Sequence, residues 1–279
     1  MFIDSHCHLD FDELRSQLPA LLSAMRQARV DGALCISTTL ETFPAVLELA
    51  QQHPQLWATV GVHPDNEGVR EPGVAELLAA AQHPRVVGIG ETGLDYYRLG
   101  ERTVADMAWQ RERFRVHIRA ARSSGLPLII HTRAAAADTL AILKEEGGFV
   151  PGADPTPHLA PARGVFHCFT ESAELAQAVL ELGFYISFSG IITFRNAAEL
   201  RAVAQMVPLE RCLIETDSPY LAPAPHRGKL NTPAYVPFVA QQLAAIKGLE
   251  SGQVGQATTA NFYKLFSKIN APQAILQEA

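Results

Sequence analysis

His6 and His8 stand one residue apart at the end of the apolar run Phe2-Ile-Asp-Ser5. Alternate side chains of an extended strand share a face, so the two imidazoles point the same way and offer half of a metal site. Comparable residues recur along the chain. His63 follows Leu56–Val62, Glu91 ends the run from Val86, His131 ends the run from Leu128, His167 ends the run from Gly164, and Asp217 follows Arg211–Glu215. A strand buried on both faces does not end in a histidine or a carboxylate without a partner. Imidazole, carboxylate and water are ligands that Mg, Mn and Zn share. One ion needs only three or four protein ligands, whereas His6, His8, Glu91, His131, His167 and Asp217 make six. The surplus points to two ions, bridged by the two oxygens of Glu91. Ions about 3.5–4 Å apart can hold an attacking hydroxide and stabilise both oxygens of an in-line displacement at phosphorus. Asp217 would bind metal and take the proton of the attacking water.

Stepping outward from these residues, the runs that end in them alternate with stretches of helical spacing. Strands are expected at Phe2–Ser5, Gly32–Ser37, Leu56–Val62, Val86–Glu91, Leu128–His131, Gly164–His167, Phe184–Phe188 and Arg211–Glu215. Helices are expected over Leu14–Arg29 (with Pro19 in the first turn of its main part), Glu41–Gln52, Val74–Gln82, Thr103–Ser124, Ala134–Glu146, Ser172–Leu182 (Ser172 as cap), Ala197–Gln205, Thr232–Lys247 and Ser251–Phe266. Eight strands alternating with helices over 279 residues read as one (β/α)8 TIM barrel, residues 1–279. An open doubly wound sheet is the runner-up. The barrel is preferred because its active sites gather at the C-terminal rim, where all these polar residues fall.

Composition narrows the surroundings. The chain is 48% hydrophobic and 19% charged, enough for a large core, and its net charge of −6 argues against a broad basic face that coats nucleic acid. A nucleic acid held locally by metal ions is still compatible. Two divalent ions, reduced by Glu91, Asp217 and a bridging hydroxide, leave the site at about +1, which suits a phosphodiester. Cys7, Cys35, Cys168 and Cys212 lie apart in apolar surroundings and read as free thiols of a cytoplasmic protein. Cys7 and Cys168 would face away from the site. No signal peptide opens the chain, no run approaches the ~20 apolar residues that span a membrane, and a monomer is expected.

Other rim residues have supporting roles. His63 is expected to touch the scissile phosphate or leaving group. Arg133 would hold a phosphate oxygen, against a surface ion pair. Tyr96, close to Asp95, would stack on a base or sugar, against loop packing. Glu215 shares the face of Asp217 and would orient a ligand. Asp4 shares the face of His6 and His8, deeper in the barrel. Phe184–Phe194 reads as core. Phe149–Arg163 reads as an extended loop, with His158 solvated in it.

The segments Phe2-Ile-Asp-Ser-His-Cys-His-Leu-Asp10, Gly61-Val-His-Pro64, Gly88-Ile-Gly-Glu-Thr-Gly-Leu-Asp-Tyr96, Ile130-His-Thr-Arg133, Phe166-His-Cys-Phe169 and Leu213-Ile-Glu-Thr-Asp-Ser-Pro-Tyr-Leu-Ala-Pro223, with Arg227-Gly-Lys-Leu-Asn231, resemble the TatD family of metal-dependent hydrolases. The resemblance implies an amidohydrolase-type barrel with one or two divalent metals held by His6, His8, Glu91, His131, His167 and Asp217. It implies a Mg- or Mn-dependent deoxyribonuclease, often a 3′ exonuclease, with DNA as substrate. The Phe149–Arg163 loop is longer than the family pattern. Hydrolysis of esters, lactones, amides or aminoacyl-tRNA on the same barrel is the alternative, and a non-catalytic binding barrel is a third. No lysine ends a strand, so a carbamylated-lysine bridge is not evident, which favours the phosphodiesterase.

Overall fold

The computed structural model describes residues 1–149 and 159–271, so His158 and most of the loop before the sixth strand lie outside the described residues. The apolar runs form strands β1 (Phe2–Cys7), β2 (Val30–Cys35), β3 (Leu56–Val60), β4 (Val86–Asp95), β5 (Leu128–Arg133), β6 (Gly164–Phe166), β7 (Tyr185–Phe188) and β8 (Cys212–Ile214). They pair in parallel in sequence order. A parallel Cys7–Ser218 bridge brings the last strand's exit back to the first, and Asp217 N–H donates to His6 O at 3.0 Å. The result is a nearly closed barrel with helices between its strands, as the alternation predicts.

Those helices are α1 (Asp12–Arg15), α2 (Leu18–Gln27), α3 (Phe43–Gln52), α4 (Val74–Ala81), α5 (Ala108–Ser124), α6 (Ala136–Glu146), α7 (Ala173–Glu181), α8 (Ala198–Met206), α9 (Val236–Lys247) and α10 (Ser251–Leu265). Ser172 caps α7, its hydroxyl accepting from Leu175 N–H. The helix expected from Leu14 is divided in two, and Pro19 sits in the first turn of α2, where its missing N–H costs nothing.

The core has two parts. One lies between strands and helices. The other takes a residue from every strand, such as Ile3, Trp57, Val87, Ile129 and Leu213, and is closed by Phe262, Leu265 and Phe266 from the end of α10. Among the described residues, this cluster draws on all eight strands and on no helix but α10, and it fills the barrel lumen. Apolar packing fills its lower part, so the polar residues are confined to the rim.

The strand ends differ from those expected. β4 runs on to Asp95 because Thr92 to Asp95 pair with Ile130 to Arg133 after a shift in register. The expected strand stops at Glu91, and the glycine beyond it is needed for close approach. Gly93 has φ +129°, and a Cβ there would lie 1.9 Å from His131 O. Conversely, β6 and β8 end one residue early, so His167 and Asp217 sit on the loops just beyond them.

Candidate metal centre

Glu91 stands at the centre of the rim, 2% exposed, and its two oxygens face different partners. Oε2 lies 3.3 Å from His6 Nε2 and 4.0 Å from His8 Nε2. Oε1 lies 2.7 Å from His167 Nε2, 3.3 Å from His131 Nδ1 and 3.3 Å from His63 Nε2. Asp217 Oδ1 joins the first group, 3.4 Å from His8 Nε2 and 3.6 Å from His6 Nε2. The six expected ligands, from β1, β4 and β5 and from the residues just beyond β1, β6 and β8, are therefore brought together, and Glu91 lies between two groups.

The outer hydrogen bonds fix which ring nitrogens present lone pairs. His8 Nδ1 faces Ile36 O at 3.4 Å, His131 Nε2 faces Asp95 Oδ2 at 2.9 Å, and His167 Nδ1 faces Glu215 Oε1 at 3.3 Å. The inner nitrogens of His131 and His167 face a Glu91 oxygen as well; burial pulls both rings down, but the surrounding carboxylates outweigh it and push both pKa values up. In the neutral rings that a metal requires, the outer nitrogen keeps the proton and the inner one turns a lone pair to the ion. The inner nitrogens approach each other: 3.3 Å between His8 and His6, whose own Nδ1 is buried without a hydrogen-bond partner, and 3.4 Å between His131 and His167. Two ligands on one ion, with bonds of ~2.1 Å, lie roughly 3.0–3.4 Å apart. Buried imidazoles and carboxylates converging at these distances have the spacing and donor types of ligands around an ion, so the donor set fits divalent ions.

His63 differs from these four. Asp65 N–H donates to its Nδ1 at 3.0 Å, so the neutral ring carries its proton on Nε2 and presents a donor to Glu91. Burial favours that neutral form and pulls its pKa down. Though close enough to Glu91 and His131 to form a candidate ligand group, His63 is in this tautomer a proton donor.

Charge at the site is shaped by opposing effects. Burial pushes the Glu91 carboxyl up, but the imidazoles of His167, His63 and His6 outweigh it and hold the group well below the usual carboxylate range. Burial likewise raises Asp217, and its contact with His8 brings it below normal. Asp95 is held down at about 2, since His131, the Tyr97 N–H and Arg133 together overcome its burial. All three are ionised at neutral pH.

The supporting residues separate. Glu215 is fully buried, accepts Cys168 N–H at 2.8 Å and meets His167, as expected of an orienting group. Asp4 accepts from the backbone N–H and hydroxyl of Thr216 and ties β1 to the loop carrying Asp217. Arg133 lies 3.1 Å from Asp95 and lines the cavity above Glu91. Tyr96 is not brought to that cavity: it is 8% exposed, its hydroxyl donates to Asp138 at 2.8 Å and it packs under the loop. Cys7 faces away, but Cys168 lines the cavity, because β6 has ended and φ +42° breaks the strand alternation that would turn it outward. Phe184 and Phe188 are core.

A polar stripe on α5 has no counterpart among the expected residues. Gln110 exchanges hydrogen bonds with the backbone of Asp95 at 2.9 and 3.1 Å. Arg113 donates to His63 O at 2.7 Å and Asn66 O at 2.9 Å. His117 Nε2 accepts Val62 N–H at 3.0 Å. Their spacing of three and four residues puts them on one helix face, which is apolar in a helix that only packs. That polar face was the available signal.

The TatD related DNase family model matches residues 3–267. The chain belongs to the TatD family. A metal-dependent hydrolase of Escherichia coli strain K12, YcfH, whose activity is uncharacterised, is 45% identical over 268 residues, 95% of each chain. The "3'-5' ssDNA/RNA exonuclease TatD" of Edwardsiella piscicida is 32% identical over 271 residues, 95% of this chain and 98% of that one. The crystal structure of YJJV, a TatD homologue from Escherichia coli K12, superposes with a TM-score of 0.84 at 29% identity, covering 97% of this chain and 98% of the other. The converging donors and the family together make this a TatD-family metal-dependent hydrolase.

Proposed function

We propose that this TatD-family hydrolase is a two-metal deoxyribonuclease that removes nucleotides from the 3′ end of DNA. The observation that carries the reading is Glu91, with one carboxylate oxygen turned to each of two groups of inward lone pairs. His6, His8 and Asp217 would hold one divalent ion, His131 and His167 the other, with Glu91 shared; Mg, Mn and Zn all accept these donors. When bound, such ions favour ionisation of the attacking water and offset the charge growing on the phosphoryl oxygens.

The side chains supply the rest. Asp217, ionised and lining the cavity, accepts the proton of the attacking water. His63 Nε2–H donates to a phosphoryl or leaving oxygen, a role its Asp65 hydrogen bond prepares. Arg133, aligned by Asp95, meets a non-bridging oxygen. The nuclease activity and its polarity are supported by the name of the Edwardsiella relative. The reading includes a monomer in the cytoplasm, the compartment being supported by the four free cysteines.

The test uses end-labelled single-stranded DNA with enzyme stripped of metal and resupplied with Mg or Mn. Metal-dependent shortening from the 3′ end, lost in folded Glu91→Ala and Asp217→Ala, is expected. Cleavage retained in both variants overturns the reading. Hydrolysis of esters or amides in place of DNA, by enzyme that binds two ions, moves the chemistry to a carbonyl.

A further inference from the structure

A second cavity, about 350 Å³, opens at the end of the barrel opposite Glu91. It lies where β4, β5 and β6 begin: Gln82, Leu126 and Arg163 line it shortly before those strands, and Ser267 and Lys268 line it just after α10. Two of these side chains are cations. Burial pulls the pKa of both down, and no carboxylate of the described residues pushes either back up. Arg163 is half-buried, and a charge drawn out of water ordinarily has a partner of opposite sign.

The two cations are used differently. Lys268 Nζ donates to Ala81 O at 2.7 Å, His83 O at 2.8 Å and Val86 O at 2.9 Å, which occupies all three of its protons. These carbonyls stand at and beyond the C-terminal end of α4, where the helix dipole favours a cation. Lys268 is therefore a fixed positive charge with no proton left to give. Arg163 donates to Gly125 O at 3.0 Å and to Ser267 Oγ at 2.9 Å, both from Nη2. The N–H groups on its Nε and Nη1 have no acceptor among the described residues. Holding the fold together accounts for Lys268 and for Nη2 of Arg163, and it leaves the rest of the guanidinium unused beside an open cavity. The Ser267 hydroxyl, which accepts from Arg163, keeps its own proton to donate, and the Gln82 amide has no partner among the described residues. Free donors and unpaired positive charge are the chemistry of an oxyanion site. The volume is at the small end of ligand cavities, ~300–1,000 Å³, and suits a phosphate with a short organic group.

We propose that Arg163, Ser267 and Gln82, with the charge of Lys268, form a binding site for a phosphate dianion, free or as the head of a small monoester, at the end of the barrel away from the metal centre. Arg163, Ser267 and Gln82 hydrogen-bond its oxygens, and the two cations balance its two charges. The site shares no residue with the rim, so it stands independently of the nuclease reading.

The test has two parts. Crystals grown without phosphate or sulfate are soaked in millimolar selenate, whose anomalous scattering locates the ion. Metal-loaded enzyme is titrated calorimetrically with inorganic phosphate and with glycerol 3-phosphate, beside Arg163→Gln and Ser267→Asp. The second variant sets a carboxylate against Arg163 and leaves the guanidinium in place, so it reads the site even where Arg163→Gln fails to fold. A selenium peak within hydrogen-bonding distance of Arg163 is expected, with phosphate binding weakened about tenfold in both variants and metal content unchanged; tenfold corresponds to one lost charge-assisted hydrogen bond. Tighter binding of glycerol 3-phosphate than of phosphate assigns the site to a monoester, and the reverse assigns it to the free ion. Isotherms identical in wild type and both variants place all phosphate binding elsewhere and overturn the proposal. A selenium peak at Arg163 without that loss in solution is an adventitious ion only and overturns it as well.

Discussion

His63 and His131 lie within 3.3 Å of the same carboxylate oxygen, yet their second nitrogens meet opposite chemistry. His131 faces the Asp95 carboxylate, and His63 accepts the Asp65 amide. One ring therefore offers a lone pair inward and the other a proton. His63→Ala should retain both metal ions by elemental analysis while turnover falls about 10²–10⁴-fold, the range of a lost acid or base; loss of an ion instead would make His63 a ligand. At this scale the ligand residues were legible because histidines and carboxylates at strand ends are chemically conspicuous. Which tyrosine reaches solvent was not. Tyr96 and Tyr97 are adjacent and identical, and only the loop after β4 decides that the first is buried against Asp138 and the second is exposed. Tyr220 lies within a recognised motif, but exposure is not written in it.

Among the elements, α5 does more than cover the barrel. Through Gln110, Arg113 and His117 it holds the backbone on which Asp95 and His63 are mounted. Burial holds the His117 imidazole neutral and pulls its pKa from 6.5 to about 4. Between those pH values the unfolded chain takes up a proton that the folded chain refuses, so stability should fall as pH drops through this window, by about 3 kcal/mol from this residue. Urea titrations should show His117→Gln less stable at pH 7 and with a flatter acid slope; equal slopes would contradict the assignment. On β4, Gly93→Ala would drive a methyl into the His131 carbonyl at a positive φ, with an expected loss of about 3 kcal/mol and weakened metal binding through His131. Calorimetric unfolding and metal titration would check both. Element order was legible from the apolar runs. Strand ends were not, since β4's continuation depends on partners in β5.

For the molecule as a whole, the barrel brings ligands from residues 6 to 217 to one rim above an apolar lumen. Converging lone pairs and three ionised carboxylates should make the metal-free enzyme the less stable form. Chelation should lower Tm by about 5–10 °C, corresponding to about 3 kcal/mol of linked binding, with recovery when Mn is restored; an unmoved Tm in scanning calorimetry would deny that the ions bind the folded site tightly. With a net charge of −6, the nucleic-acid binding proposed above would have to be local to the proposed ions, Arg98 and Arg133. The order of apolar runs, most of them ending in a ligand-type residue, determined the barrel, its polar rim and the candidate ligand set, because covalent order alone dictates which residues close each strand. Only the tertiary structure decided how Glu91 divides its oxygens, which nitrogen each imidazole presents, how α5 clamps the site and which aromatics reach solvent. Those properties depend on partners far along the chain, brought within hydrogen-bonding distance only when the barrel closes.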